Sequence, residues 1–511
     1  MADLERMNIV ITGHVDHGKS TSFGHMLFLL GQIHDPKKKR APWRIAERYY
    51  LDSKKEQMGS WSYAWILDPL IEERSRGLTI NISFTEFKTE KYIYNLIDAP
   101  GHSDFIKNMI TGASQADAAI LVVSARKGEF EDGVKRAGAA TGKYANVIGM
   151  TTEHMLLLTS LGVQNIVVNI NKMDTVDWDQ KRYETIKDNL SKMFLMLMKA
   201  VGTENAEEIA GKIAFVPTSG LMGVNMLTKD KTIANLENHI GQAESAGGDA
   251  TFIASLKKEL ETIKSTWPSW YSGPSIIEAL DAFPSPSEKK ETMSKQSLRI
   301  PVQSVLNISG VGNVMTGRVA SGKLLPNMDV MIAPTKMSND PIPITVKTIQ
   351  EFHKEIPQAL PGDNIGFNIK AKNIGAKDII RGAVVSEKND PAKPLLPGKD
   401  AFLAMVLVVR SLGKKAKGAE KEWGVHVNYS PVVHCGTAQV TCRVTEMKGL
   451  DGAELTDLKQ NQRGMCWFTP VQPIVIEPVA KSPALGRFAL RDSGKTVAVG
   501  IVEKVEFGKY T

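Results

Sequence analysis

Nine residues near the start constrain this chain more than any others: Gly13-His14-Val15-Asp16-His17-Gly18-Lys19-Ser20-Thr21. They read G-x-x-x-x-G-K-S, a pattern in which backbone N–H groups cradle phosphate oxygens, the lysine reaches the β- and γ-phosphates and the hydroxyl meets Mg²⁺. The pattern carries meaning only between a strand and a helix, and both flanks comply. Residues 8–12 form a short β-branched run, as a buried strand requires. From Ser20 onward, Phe23, Met26, Leu27 and Leu30 share one helical face. Gly13 and Gly18 let the backbone turn and approach a ligand closely. A segment built this way puts a phosphate site at a helix N-terminus. An ordinary glycine-rich turn is the competing reading, and further elements downstream weigh against it.

With 511 residues the chain exceeds one ordinary core, and its length implies roughly three domains. A hydrophobic content of 42% and a charged content of 23% are those of a soluble globular protein. The formal net charge of +7 leans weakly toward a polyanionic partner. Cys435, Cys442 and Cys466 lack metal-ligand spacing, which fits a reducing compartment better than a disulfide scaffold. The first residues are acidic and lead directly into the first strand, with no room for a signal peptide. No apolar run is long enough to span a bilayer. The expected location is the cytoplasm, with no membrane partner.

Short apolar runs at 8–12, 92–97, 118–123, 165–170 and 213–216 alternate with helical patterns, implying βαβ units around a mostly parallel sheet. Residues 284–291 are polar and proline-bearing and read as a linker. Beyond Leu298, β-rich runs such as 314–319 and 365–369 are separated by Gly, Pro and Asn, a barrel-like pattern. A second break falls at 389–394. The expected architecture is therefore multidomain. An α/β P-loop domain at 1–284 carries an insertion at about 228–265, and two all-β barrels follow at 297–389 and 399–511. Within the insertion, Ile253, Leu256, Leu260 and Ile263 predict one amphipathic helix.

Four further elements narrow the chemistry. Asp98-Ala99-Pro100-Gly101-His102 ends an apolar strand, where Asp98 can hold Mg²⁺ through water and the Gly101 N–H can meet the γ-phosphate. His102 follows, placed for an attacking water. Asn171-Lys172-Met173-Asp174 ends another strand. The Asp174 carboxylate can accept from N1–H and the exocyclic amine of guanine, which adenine does not offer in that arrangement. Asn171 would hydrogen-bond the base and loop, and the Lys172 stem would lie over the ring. In Ser219-Gly220-Leu221 a backbone N–H can reach guanine O6. In Arg76-Gly77-Leu78-Thr79-Ile80, Thr79 could close over Mg²⁺ and the γ-phosphate, ordering with the triphosphate.

With these five elements in order, the chain resembles the eukaryotic and archaeal translation elongation factor 1-alpha family, related to elongation factor Tu. The likeness extends through Asp104-Phe105-Ile106-Lys107-Asn108-Met109-Ile110-Thr111-Gly112, Ser114-Gln115-Ala116-Asp117 and Gly128-Glu129-Phe130-Glu131 in the first domain. It continues in Pro361-Gly362-Asp363-Asn364-Ile365-Gly366-Phe367-Asn368 and Gly486-Arg487-Phe488-Ala489-Leu490-Arg491-Asp492. It implies a GTPase using GTP/GDP and Mg²⁺ and delivering aminoacyl-tRNA to the ribosomal A site. The ribosome and a guanine-nucleotide exchange factor would be partners of a monomer. By resemblance, His102 orients the hydrolytic water, and Val15 and Leu78 gate its access until the ribosome engages. Residues 351–353 and 310–318 would border the aminoacyl pocket.

The sequence also departs from that pattern. Ser103, Ser75, Asn313 and Gly436 replace usual residues, and residues 134–152 run longer than the family norm. Pro36-Lys37-Lys38-Lys39-Arg40 is a basic cluster open to RNA or to solvent. A release-factor or ribosome-rescue GTPase is an alternative, although those usually carry an N-terminal extension. A GTPase subunit of ATP sulfurylase shares the three-domain plan, but the runs 104–112 and 114–117 favour the translation factor.

Overall fold

The computed structural model of the protein describes residues 4–33, 40–56, 61–68, 83–100, 106–114, 116–134, 149–310, 312–351, 354–371, 374–410 and 424–510. The chain divides into two compact units, the first made of most of the chain up to Pro284 and the second of Ser285–Thr511 together with short pieces such as Ser160–Gly162.

The first unit is built on β1 (Glu5–Gly13), β2 (Ser83–Lys88), β3 (Tyr92–Asp98), β4 (Ala118–Ser124), β5 (Asn165–Asn171) and β6 (Ala214–Pro217), in the order β2-β3-β1-β4-β5-β6. Only β2 runs antiparallel to its neighbour. β1 lies between β3 and β4, with Ile9 opposite both Leu96 and Ala118. Its last seven residues are buried, which accounts for the unbroken apolar run that marks a strand covered on both faces. The helices are α1 (Lys19–Leu29), α2 (Pro42–Lys55), α3 (Ile106–Ser114), α4 (Glu129–Val134), α5 (Met150–Ser160), α6 (Gln180–Ala200), α7 (Ala206–Gly211), α8 (Lys229–Ser245), α9 (Ala250–Thr266) and α10 (Ile276–Asp281). The strand order reverses at β1, so the carboxyl ends of β1, β3 and β5 open a crevice at a topological switch point, where ligands of such sheets bind.

Three sequence expectations need correction. The insertion contains two helices, because Gly247 adopts a left-handed φ of 70° and Asp249 caps a second start by accepting from Thr251 N–H and Phe252 N–H. In α9, Phe252, Leu256, Leu260 and Ile263 are buried, while Ile253 is only partly so. Second, α1 is buried far beyond the face of Phe23, Met26 and Leu27, since Ser22, Gly24, His25 and Phe28 are covered too. α8 and α9 supply Leu236, Ile240, Phe252 and Leu256 to the same core and bury what an amphipathic reading leaves to water. Third, the stretch read as a linker enters a helix, α11 (Ser287–Ser294), with no buried residue and an ion pair of 2.8 Å from Glu291 to Lys295. Lacking an apolar face, it gives no periodic signal.

In the second unit, β7 (Arg299–Ile308), β8 (Gly312–Arg318), β9 (Asp329–Thr335), β10 (Ile342–Glu351), β11 (Lys354–Glu355), β12 (Asn364–Lys370) and β13 (Ile379–Glu387) form an antiparallel sheet. The β9–β10 pairing closes six of its strands into a ring. β14 (Ala401–Val408), β15 (Val425–His426), β16 (Val432–Cys435), β17 (Ala438–Lys448), β18 (Asp457–Leu458), β19 (Arg463–Pro470), β20 (Arg487–Asp492) and β21 (Lys495–Glu506) complete the chain. Six of these make a closed barrel, and β15 and β18 pair apart. Phe402, Phe468 and Phe488 pack ring to ring at its centre. The first residue of β7, Arg299, is 2% exposed. Its guanidinium donates from Nε and Nη2 to both Glu477 carboxylate oxygens at 3.0 and 2.8 Å, and from Nη2 to Asp390 Oδ2 at 2.8 Å. Cys435, Cys442 and Cys466 are free and buried, and burial pushes the Cys435 and Cys466 thiols up to about 12. Among the described residues no helix is long and apolar enough to cross a membrane.

Candidate nucleotide site

β1 delivers its chain to Gly13, whose backbone lies so close to the Val122 carbonyl of β4 that a Cβ would collide with it. At the other end of the loop Gly18 has φ 85°, a conformation that suits glycine, and a Cβ there would strike the Asn171 amide. Both glycines of the motif are thus demanded by their neighbours. Gly18 is also the N-cap of α1. No side chain caps this helix and no acidic residue sits in its first turn. Its first N–H groups and its positive end face the loop, an arrangement that favours an anion. Val15 and Thr21 are half-buried at its rim. Asp16, at φ 61°, is exposed.

Lys19 is buried and curls back over the loop, donating to the Gly13 and His14 carbonyls at 3.0 and 3.1 Å. Burial pulls its pKa down, against the opposite influence of Asp98, Asp68 and Asp16. A polyanion arriving at the loop would favour the charged ammonium and give it oxygens to replace the carbonyls. His17 lies beneath the loop. Its ring nitrogens stand 3.3 Å from the Val122 and Glu129 carbonyls, and burial, then His14 and Lys19, lower its pKa to about 3. It is therefore neutral near pH 7, and its one ring N–H serves one carbonyl at a time.

Asn171 does more than the sequence suggests. It is 2% exposed at the end of β5. Its amide donates to the His17 carbonyl at 2.9 Å while its Oδ1 accepts from the Gly220 N–H at 2.8 Å. One side chain so joins the phosphate loop to residues 219–221. Lys172, at φ 62°, directs its ammonium to Glu129 Oε2 at 2.9 Å. Burial raises the Glu129 carboxyl, but the hydrogen bonds from Lys172 and Ser124 and the charges of Lys172 and Arg126 together hold it below its usual range. Asp174 lies half-buried in the first turn of the 3₁₀ segment Met173–Val176, and no side-chain hydrogen bond engages its carboxylate among the described residues.

The base loop can be assigned more finely. The Ser219 N–H goes to Val224 O at 3.4 Å and the Gly220 N–H to Asn171, leaving the Leu221 N–H as the donor of this trio with no acceptor among the described residues. Leu221 is 46% exposed, as a residue beside a ligand would be. Asp98 ends β3 and is buried beside Lys19, and the Ser20 hydroxyl, in the first turn of α1, makes no hydrogen bond among the described residues. Gly101, His102, Leu78, Thr79, Ser75, Ser103 and residues 36–39, 135–148 and 352–353 lie outside the described residues. Sequence reasoning missed Glu129 as the partner of Lys172 and His25 as a support of the base loop; neither has a local signature.

A switch-point crevice with an uncapped glycine loop, a free base-side carboxylate and two following barrels defines a translational GTPase. Three family models agree. The elongation factor Tu GTP-binding domain matches residues 4–284, elongation factor Tu domain 2 residues 312–386, and the GTP-eEF1A C-terminal domain-like model residues 420–503. The chain is 38% identical over 509 residues to elongation factor 1-alpha of Entamoeba histolytica, covering 98% of this chain and 95% of that relative. It is 38% identical over 516 residues to elongation factor 1-alpha of Ignicoccus hospitalis, covering 98% and 97%. The Ski7 GTPase-like domain of S. cerevisiae shares the fold, with a TM-score of 0.69 at 16% identity over 98% of this chain and 97% of that one. The chain belongs to the elongation factor 1-alpha family: it binds guanine nucleotide, hydrolyses GTP and serves translation elongation.

Proposed function

We propose that the GTP form of this chain carries aminoacyl-tRNA to the ribosomal A site and leaves after hydrolysis to GDP. The observation that supports this most is the coupling of phosphate loop and base loop through Asn171, which builds one continuous cradle for a guanine nucleotide. In that cradle Gly13–Thr21 wrap the phosphates, with Lys19 on the β- and γ-phosphates. Asp174 accepts from the guanine edge and Leu221 donates to O6. The site chemistry also suits Mg²⁺: a hydroxyl at Ser20 and a carboxylate at Asp98 are hard oxygen donors, the usual partners of an ion held largely by phosphates and water. With Thr79 they would hold it, and the ion would neutralise charge developing on the transferred phosphoryl group. His102, beside Gly101, orients the water, with Val15 and Leu78 gating it. The proposed domain division is 1–284, 297–389 and 399–511. The proposed setting is a cytoplasmic monomer served by an exchange factor. The long match to elongation factors favours this reading over a release or rescue factor or a sulfurylase subunit.

Two measurements test it. Filter binding with charged tRNA should show retention with GTP and little with GDP; equal retention with both would refute tRNA delivery. Asp174→Asn should lose GTP affinity and gain affinity for xanthosine nucleotides, because an amide donates where the carboxylate accepted. Unchanged GTP affinity in that variant would remove Asp174 from base recognition.

A further inference from the structure

Behind the base loop lies a buried polar chain that links it to the inserted helices α8 and α9. His25, in the middle of α1, is fully buried. Its Nδ1 stands 2.8 Å from the Gly220 carbonyl and its Nε2 2.9 Å from Glu259 Oε1 on α9. The Tyr63 hydroxyl donates to the other Glu259 oxygen at 3.0 Å, and the Tyr63 ring stacks on His25 with centroids 3.8 Å apart and planes 7° from parallel. A carbonyl only accepts, so Nδ1 carries a proton. Glu259 faces Nε2 at ion-pair distance, off the line of a straight hydrogen bond, and bounds the ring on its far side. The stack on Tyr63 fixes its plane.

Residue 220 is held at both ends, its N–H by Asn171 and its carbonyl by His25. The loop also rests on α1 without clearance: a Cβ at Gly220 would collide with Ser22, and one at Gly223 would come within 3.0 Å of His25 and Leu29. α8 grips the same helix a turn further on, where His239 Nε2 lies 2.8 Å from the Phe28 carbonyl and its ring stacks on Phe28 at 4.5 Å. The insertion, read from sequence as a separate helix with a solvated face, is thus part of the wall on which the base loop sits.

We propose that Glu259 is a positioning residue for the nucleotide: through His25 and Gly220 it places the Leu221 N–H against guanine O6, so that residues 229–266 set the selectivity of the site for guanine. This rests on the reading of residues 219–221 as the base loop, and it adds to that reading a control from a segment with no contact to the ligand.

The test compares GDP with 6-thioguanosine diphosphate, which keeps the N1–H and amino group that Asp174 would read but puts a weakly accepting sulfur in place of O6, by titration against the full chain. Wild type should prefer GDP. Loss of that preference in wild type would overturn the base-loop reading itself. Glu259→Ala, which removes the group facing Nε2, should bind GDP about three- to tenfold more weakly, the worth of one misplaced hydrogen bond, with the thio analogue little changed. Tyr63→Phe, which keeps the stacked ring and removes only the hydroxyl, should move the ratio the same way by less. Lys257→Ala, which breaks the exposed pair with Glu244 on the same helices, should leave it alone. A wild-type selectivity ratio in both Glu259→Ala and Tyr63→Phe, or parallel loss of both ligands, would overturn the proposal while leaving the base loop standing.

Discussion

Removing the Asn171 side chain should open the nucleotide cradle. Asn171→Ala deletes the 2.9 Å bond to the His17 carbonyl and the 2.8 Å bond from the Gly220 N–H, both in a setting where Asn171 itself is 2% exposed. Each buried group left without a partner costs about 1–3 kcal/mol. Water entering the new space recovers some of this, so the net loss is about 2–4 kcal/mol. Parting of the two loops in the nucleotide-free variant would put most of the loss on the bound state. The expected result is GDP affinity lower by about 30- to 1,000-fold. Asn171→Asp sharpens the test. It keeps an acceptor for Gly220 but sets a carboxylate against the His17 carbonyl, so it should do no better than alanine. Titration with a fluorescent GDP, paired with thermal melts of all three proteins, reads both effects. An Asn171→Ala protein that binds GDP within threefold of wild type and melts at the same temperature would refute the reasoning. A lowered melt with wild-type affinity would confine Asn171 to folding.

Three other outcomes are expected. The folded-state pKa of His17 is depressed to about 3 from an ordinary 6.5, so the unfolded chain binds the extra proton first as pH falls. The stability His17 contributes is present above about 6.5 and is lost as pH drops toward 3, with a slope of up to about 1.4 kcal/mol per pH unit. Denaturant melts from pH 7 to 5 should show a shallower decline in His17→Gln, and an identical decline would contradict the assignment. Ser20→Ala should lose the slowing of GDP release that Mg²⁺ produces in wild type, and equal slowing in both would remove Ser20 from the metal site. His102→Ala should keep GTP affinity but lose ribosome-stimulated hydrolysis by at least ~10²-fold, while Val15→Ala should raise hydrolysis without ribosomes. Single-turnover assays with and without programmed ribosomes decide both; wild-type stimulated rates in His102→Ala would discard its role.

What the sequence makes legible here is local. A β-branched run, two glycines and a helix start announce the phosphate site because strand burial, left-handed backbone and an uncapped N-terminus each leave a trace within a few residues. Asn171 and Asp174 are legible for the same reason, at the end of a strand. The role of Asn171 is less so: its partners, His17 and Gly220, are remote in the chain and meet only when β1, β5 and β6 align. The insertion hides more. Its apolar positions forecast a helix, but the covering of His25 and Phe28 on α1 depends on tertiary packing that periodicity does not record. α11 fails in the opposite way, since a helix made of polar residues looks like a linker.

Arg299 bears on how the second unit moves. Its guanidinium is bound by a carboxylate from the segment between the barrels and another from the last barrel, and the Asp390 and Glu477 carboxylates share Lys481 at 3.2 and 3.0 Å. Pulling the barrels apart would break the charge-assisted hydrogen bonds that hold a nearly fully buried guanidinium, so this joint resists opening. The Arg299 cluster therefore works as a clasp between the two barrels, through which a displacement of one is carried to the other where a flexible joint would absorb it.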